Sequence, residues 1–342
     1  MSGIARKLAG VTKGKVSPRL IVIPTGTSPF IHMYKWTYSG GLTTKFANPT
    51  QLPTSGAGNE ASWNADGTRV VWAGSGSSSQ VVVYNMIPTG FSTRRAVATV
   101  AGNANAARYS PGGSYVVGHN TTPFISAYRD NNTKFSNPAV LPIGLGHRVA
   151  FSPSGNAVAL QGAGRGDVYA WSDTTGFGTR YANPANRPQV GHGVDFHPLG
   201  NAIVFSSTSS SISTIAAYAW SDATGFGAKF ANPVGIPVGF HFARSVRFHP
   251  DGDAVGWAIS LSPFMLAYRW TASGWGTKYA DPVGSFPSTA LGFTFAPTGD
   301  AAFLCGPHPG VKMWQWSSAT GFIGSAFNPG TVINNAGVPG AI

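Results

Sequence analysis

The chain repeats itself, and that constrains its fold more than anything else in the sequence. AWSDTTGFGTRYANP at 170–184 returns as AWSDATGFGAKFANP at 219–233 and as RWTASGWGTKYADP at 269–282. Weaker copies read KWTYSGGLTTKFANP at 35–49, DNNTKFSNP at 130–138 and QWSSATGFIGSAFNP at 315–329. A second segment alternates with the first: ASWNADG at 61–67, ARYSPGG at 107–113, VAFSPSG at 149–155, VDFHPLG at 194–200, VRFHPDG at 246–252 and FTFAPTG at 293–299. From Pro111 the turn proline recurs after 42, 45, 52 and 47 residues, at Pro153, Pro198, Pro250 and Pro297. A period in the forties with about four short strands per unit is the pattern of a β-propeller, in which small sheets stand as blades around an axis.

Each unit divides into strands a to d. Strand a (VAFS) ends in a Pro-x-Gly turn, b (NAVAL) in a small-residue loop, c (DVYAW) in a tight Gly turn, and d (GTRY) in Asn-Pro. Strands b and c are nearly continuous apolar runs, as required when both faces of a sheet are covered. Composition agrees. Glycine (45) and proline (25) make up about a fifth of 342 residues, which interrupts helices, while a 42% hydrophobic content excludes disorder. No apolar run reaches the length of a membrane-spanning helix. The single cysteine, Cys305, has no internal disulfide partner.

The ends decide the closure. Strand d is clear in six copies and degenerate in a seventh, near GFSTRRA at 90–96; strand a has six copies. The ring begins with RLIVIPTGTSPFIHMYKW (19–36), which supplies b and c with no a before them, and NNAGVPGAI (334–342) is the segment expected to supply the missing strand. The expected fold is therefore all-β: a seven-bladed β-propeller of four-stranded antiparallel blades over 19–342, closed by the C-terminal strand completing the N-terminal blade. Residues 1–18 are expected to form a basic N-terminal arm, and Arg6, Lys7, Lys13, Lys15 and Arg19 contribute to a net charge of +12 without an acid among them. The arm lacks the apolar core of a secretory signal. Its bases have no interleaved aromatics, which argues against nucleic acid as a partner.

The outermost strand of each blade is an exposed edge, which invites unwanted pairing, and Lys45, Lys134, Arg180, Lys229 and Lys278 occupy one equivalent position there. Edge protection explains them, and a basic band meeting an acidic partner is the sharper alternative.

Two resemblances follow from these residues. Gly146-His147 before VAFSPSG and a strand ending in Trp171 is similar to a WD40 repeat, as is Gly191-His192 before VDFHPLG and Trp220, although Ser-Asp follows each Trp. The units SPFIHMYKW (28–36), TPFISAYRD (122–130) and SPFMLAYRW (262–270), followed by GFGTKYANP-like and VAFSPSG-like segments, resemble repeat proteins of tailed bacteriophages. That resemblance implies a virion or tail-associated component and carries no catalytic residues with it.

Chemistry is scarce. Glu60 is the only glutamate, and six of the aspartates lie at turns, where they are recruited for backbone hydrogen bonds. Glu60 and Asp195 are the best carboxylate pair, but they belong to different blades. His192 and His197 point apart along an extended segment, and no Cys/His cluster of zinc type exists, so neither metal nor cofactor is expected. One constellation stands out: Asn59, Asn105, His147, His192 and Arg244 hold equivalent positions just before the core of strand a, with Leu291 as the sixth. In a ring these side chains surround one mouth of the central channel, where a ligand would meet them. The alternative is that the histidines satisfy backbone groups at the strand start.

The expected function is a non-enzymatic virion structural protein, docked on a phage particle through its arm to other virion proteins in multiple copies. It would display its loop face to a partner or host-surface glycan. The alternatives are a lectin-type carbohydrate-binding module, and a propeller hydrolase or lyase acting on a glycan or lactone.

Overall fold

A computed structural model describes residues 19–53, 56–76, 81–98, 100–163, 166–184, 190–208, 215–236, 242–284, 289–307, 310–328 and 336–341. Strands form where the repeat places them, and they assemble into seven antiparallel sheets, with no helix among the described residues. Each inner strand packs on the inner strand of the next sheet, which closes a seven-bladed propeller. Blades are numbered here in chain order, with strands lettered outward from the axis. The inner strands of blades 2 to 7 are Gly58–Trp63, Ala104–Tyr109, Gly146–Phe151, Val194–Phe196, Ala243–Phe248 and Gly292–Phe295.

Blade 1 takes Leu20–Pro24, Ile31–Thr37 and Gly41–Lys45 from the start of the ring and Gly340–Ala341 from its end. Ile21 pairs with Ala341 and Val22 with Gly340, while Val338 bridges to Glu60 of blade 2. The seam is also a core: Ile21, Ile23, Tyr34 and Trp36 of blade 1 pack on Phe303, Cys305 and Met313 of blade 7, all buried. Cys305 is buried here as a small apolar side chain, and that burial pushes its thiol well up.

The outer strands correct the sequence analysis in one respect. The degenerate copy GFSTRRA lies in a nine-residue strand, Gly90–Ala98, whereas the clear-looking DNNTKFSNP copy forms only a single bridge, Tyr128 to Lys134. Six sheets therefore have four strands, and blade 3 has three plus that bridge. The reason is chain length. Lys134 follows Tyr128 by six residues, whereas the equivalent Arg180 follows Tyr169 by eleven, so the hairpin turns at once through Asn132 at φ 69°.

Packing between blades explains the repeat's spelling. The aromatic at the end of the outer strand segment, after the edge cation in four blades and after Ala326 in the last, leans on the turn glycine of the following blade. Phe135 meets Gly176, Tyr181 meets Gly225, Phe230 meets Gly274, Tyr279 meets Gly321, and Phe327 closes the circle on Gly41. Those glycines have φ between 65° and 98°, so both the backbone and the incoming ring exclude a Cβ. A Cβ at Gly225 would lie 2.8 Å from the Tyr181 ring. Gly225→Ala is therefore expected to cost about 1–3 kcal/mol. Gly324→Ala, at φ 68° with open space around it, should cost less, and the two denaturation midpoints compare ring contact with backbone strain alone. The glycine-flanked Phe177 packs on its own blade against Trp171, with ring centroids 5.2 Å apart. On the turn face His197 and His249 place Nε2 2.8 Å from the carbonyls of Gly252 and Gly299 in the next blade, so the Phe-His-Pro histidines clamp neighbours together.

Candidate functional site

Four of the inner strands begin with an irregularity at the same place. In the pairing of strands a and b, Asn59, Asn105, His147 and Arg244 are skipped: register shifts fall between Gly58 and Glu60, Ala104 and Ala106, Gly146 and Arg148, and Ala243 and Ser245. A bulged residue leaves the ladder and its side chain is re-aimed. Here the four side chains turn to the channel mouth, where they meet His192, which lies two residues before strand a of blade 5. Asn59, Asn105, His147, His192, Arg148 and Arg244 line one cavity of about 460 Å³, which opens on the face of the b–c loops.

The wall fixes these groups individually. Asn59 Nδ2 donates to Ala104 O and Asn105 Nδ2 to Gly146 O, both at 2.9 Å, which leaves the amide oxygens to meet a ligand. Arg148 is buried and spends Nη1 on His147 O (2.7 Å) and Asn105 O (3.0 Å), while its Nε has no protein partner. The imidazoles of His147 and His192 stack at 3.8 Å with 22° between their planes. Burial, together with Arg148 and Arg244, lowers the His147 pKa to about 4. Burial, His147 and the same arginines lower His192 to about 2. Both rings are therefore neutral at pH 7 and able to accept a proton.

Below the mouth lies the deepest charge in the channel. Glu60 is fully buried, and its Oε1 accepts from Arg108 Nε (2.8 Å) and from Arg247 Nη2 (3.3 Å), with Arg108 Nη2 as a further ion-pair contact at 2.7 Å. Burial pushes this carboxyl up, and Arg108 and Arg148 pull against it. Asp195 faces the same channel, held by the Phe248 N–H at 2.8 Å. The objection that Glu60 and Asp195 sit on different blades thus fails, since all inner strands share one axis and both carboxyls feel Arg108. Sequence reasoning missed Arg108, Arg148 and Arg247. For Arg108 and Arg247 the signal was present in the aligned copies ARYSPGG, VDFHPLG and VRFHPDG, which carry a charge in a strand that is otherwise apolar, and Arg148 lies just before VAFSPSG.

Of the arm residues, Arg6, Lys7, Lys13 and Lys15 lie outside the described residues. Arg19 belongs to the ring: it pairs with Asp300 at 2.7 Å and lies 4.8 Å over the Trp36 ring, stitching blade 1 to blade 7. The edge cations end their strands opposite a tyrosine of strand c, and two of them are paired, Arg180 with Asp167 and Lys278 with Asp281.

No protein-family model matches the chain, and no curated protein is similar to it in sequence. Solved structures share its fold. A Bacteroides fragilis protein provisionally named a 6-phosphogluconolactonase superposes with a TM-score of 0.70 at 13% identity, over 97% of this chain and 99% of that one. A periplasmic gluconolactonase of Pseudomonas aeruginosa gives 0.67 at 14% identity, over 95% and 99%. A third, from Bacteroides uniformis and provisionally named a 6-phosphogluconolactonase, gives 0.66 at 14%, over 95% and 99%.

These neighbours overturn the expectation of a non-enzymatic virion protein: three propellers that match nearly the whole ring carry the names of lactonases. The physical reason is visible in the motifs that carried the phage resemblance. Ser/Thr-Pro-Phe is a b–c turn that sets Phe30, Phe124 and Phe264 at φ 66–69°. Gly-Phe-Gly is the c–d turn that accepts the neighbouring ring. They encode blade geometry, which any propeller can use.

Proposed function

We propose that the chain is a hydrolase that opens the ring of a sugar lactone at the Asn59–Arg244 mouth. The observation that carries this reading is the pair of neutral imidazoles set beside two guanidinium groups in one cavity, a proton acceptor next to donors for a developing oxyanion. The names of the structural neighbours support a lactone as substrate, and the choice of mouth rests on these residues.

His147 is the better base of the two, because its basicity is depressed less than that of His192. It takes a proton from water as the oxygen adds to the lactone carbonyl carbon. Arg244, half-buried at the rim, and the unspent donors of Arg148 stabilise the negative oxygen of the tetrahedral intermediate. The bond between that carbon and the ring oxygen then breaks, the leaving oxygen takes the proton held by His147, and a hydroxy acid results. The amide oxygens of Asn59 and Asn105 accept hydrogen bonds from sugar hydroxyls.

The test is proton release from glucono-δ-lactone and from its 6-phosphate, above the spontaneous rate. Turnover of either supports the reading, and no acceleration of either overturns it. Because the base titrates near 4, the acid limb of kcat/KM should fall near pH 4 and not near the 6.5 of an unperturbed histidine.

A further inference from the structure

We propose that the opposite end of the channel is a second binding site, for a small carboxylate. The cavity there is about 320 Å³, bordered by Ser62, Arg108, Ala150, Ser152, Asp195 and Arg247 and reached from the a–b turns. It lies across the Glu60 ion cluster from the first mouth, so this site is independent of the lactone reading.

The charges leave a place for an anion. Arg108 and Arg247 both lean on one oxygen of Glu60, so a partly buried and a buried cation share one negative atom. Arg247 spends Nη1 on Val246 O (2.9 Å) and Val194 O (3.2 Å), and its Nε has no protein partner although the side chain is only 7% exposed. Buried charges are normally paired, and an orphaned guanidinium N–H bordering a cavity is satisfied by a ligand.

Among the described residues, Asp195 is the one carboxyl on the chamber wall. Burial raises it to about 7, while the N–H groups of Phe248 and Phe196 and the Arg108 charge pull it down and Glu60 pushes it up. A protonated Asp195 donates to a carboxylate ligand, and an ionised one repels it. An anion offsets part of the positive charge that Arg108, Arg148 and Arg247 together hold in excess of Glu60. Apolar surface from Val149 and Phe151 completes the wall and suits the carbon body of an organic acid. Binding is then coupled to uptake of one proton.

Calorimetric titration with benzoate tests this. With Asp195 near 7 and the mouth histidines titrating near 4 and 2, affinity should be about tenfold higher at pH 6 than at pH 8. Asp195→Asn should bind with the same affinity at both pH values, since its amide stays neutral. Ala150→Leu, which fills the chamber, should abolish binding, and Arg244→Ala at the other mouth should leave it intact. Binding that survives Ala150→Leu, disappears in Arg244→Ala, or is absent from the unaltered protein at both pH values overturns the proposal. Lactone turnover is a separate readout, so failure of either site is told apart from failure of the other.

Discussion

His147→Ala is expected to lower kcat/KM for lactone hydrolysis by about 10²–10⁴, the range typical of a lost general base. Arg244→Ala should cost about 10²–10³, the loss seen when one donor to an oxyanion is removed. The two effects should not add, because base and donor act on the same tetrahedral intermediate. Arg244 has a second signature. Its charge helps to depress His147 and His192, so its removal lets the His147 pKa rise toward 6.5, and the acid limb of the rate profile should move upward from about pH 4. An arginine that merely filled space would change the rate without shifting the limb. Measured pH profiles of the unaltered protein and Arg244→Ala decide between the two roles.

Why the mouth was legible from sequence and the charge cluster was not comes down to which interactions leave a periodic trace. Asn59, Asn105, His147, His192 and Arg244 hold one position in successive copies of a repeat, and rotational geometry converts equal position into a common location. The orientation of Asn59, Asn105, His147 and Arg244 is set by the bulges, which a linear pattern does not display, because each skipped residue alters the register by one without altering the spacing of the turns. Glu60, Arg108, Asp195 and Arg247 are different. No two neighbouring blades carry the same residue there, and their meaning lies in pairing across the axis between segments up to 187 residues apart. Treating the blades as separate places made two carboxyls look distant when they share one channel. The outer strand of blade 3 failed for another reason: DNNTKFSNP kept the Lys-aromatic-Asn-Pro ending that packs on the next blade and lacks the chain length between Tyr128 and Lys134 that a full hairpin needs. Ring packing and strand pairing are separate interactions, and one signature survives without the other.

Glu60→Ala is expected to remove a large share of the fold's stability. The side chain is completely buried and is the one glutamate in the chain, and its oxygen holds Arg108 and Arg247 while its charge offsets Arg148. Removing one partner from a buried ionic group costs about 3–5 kcal/mol, chiefly because the remaining charges stay desolvated without compensation. Against a typical domain stability of about 5–15 kcal/mol that is a large share, and it is read as a fall in denaturant midpoint at unchanged slope. Glu60→Gln should lie between, since the amide oxygen still accepts from Arg108 but carries no charge. The decisive comparison is Glu60→Ala combined with Arg247→Met. If the cost comes from stranded cations, the double variant recovers stability relative to Glu60→Ala alone, with a coupling energy of about 0.5–3 kcal/mol. If the loss comes from the cavity left by the side chain, removing a second group deepens it. Backbone carbonyls hold Arg148 and Arg247 in place, but Glu60 supplies the charge that offsets the buried arginines, and weakening it should damage the fold and both mouths together.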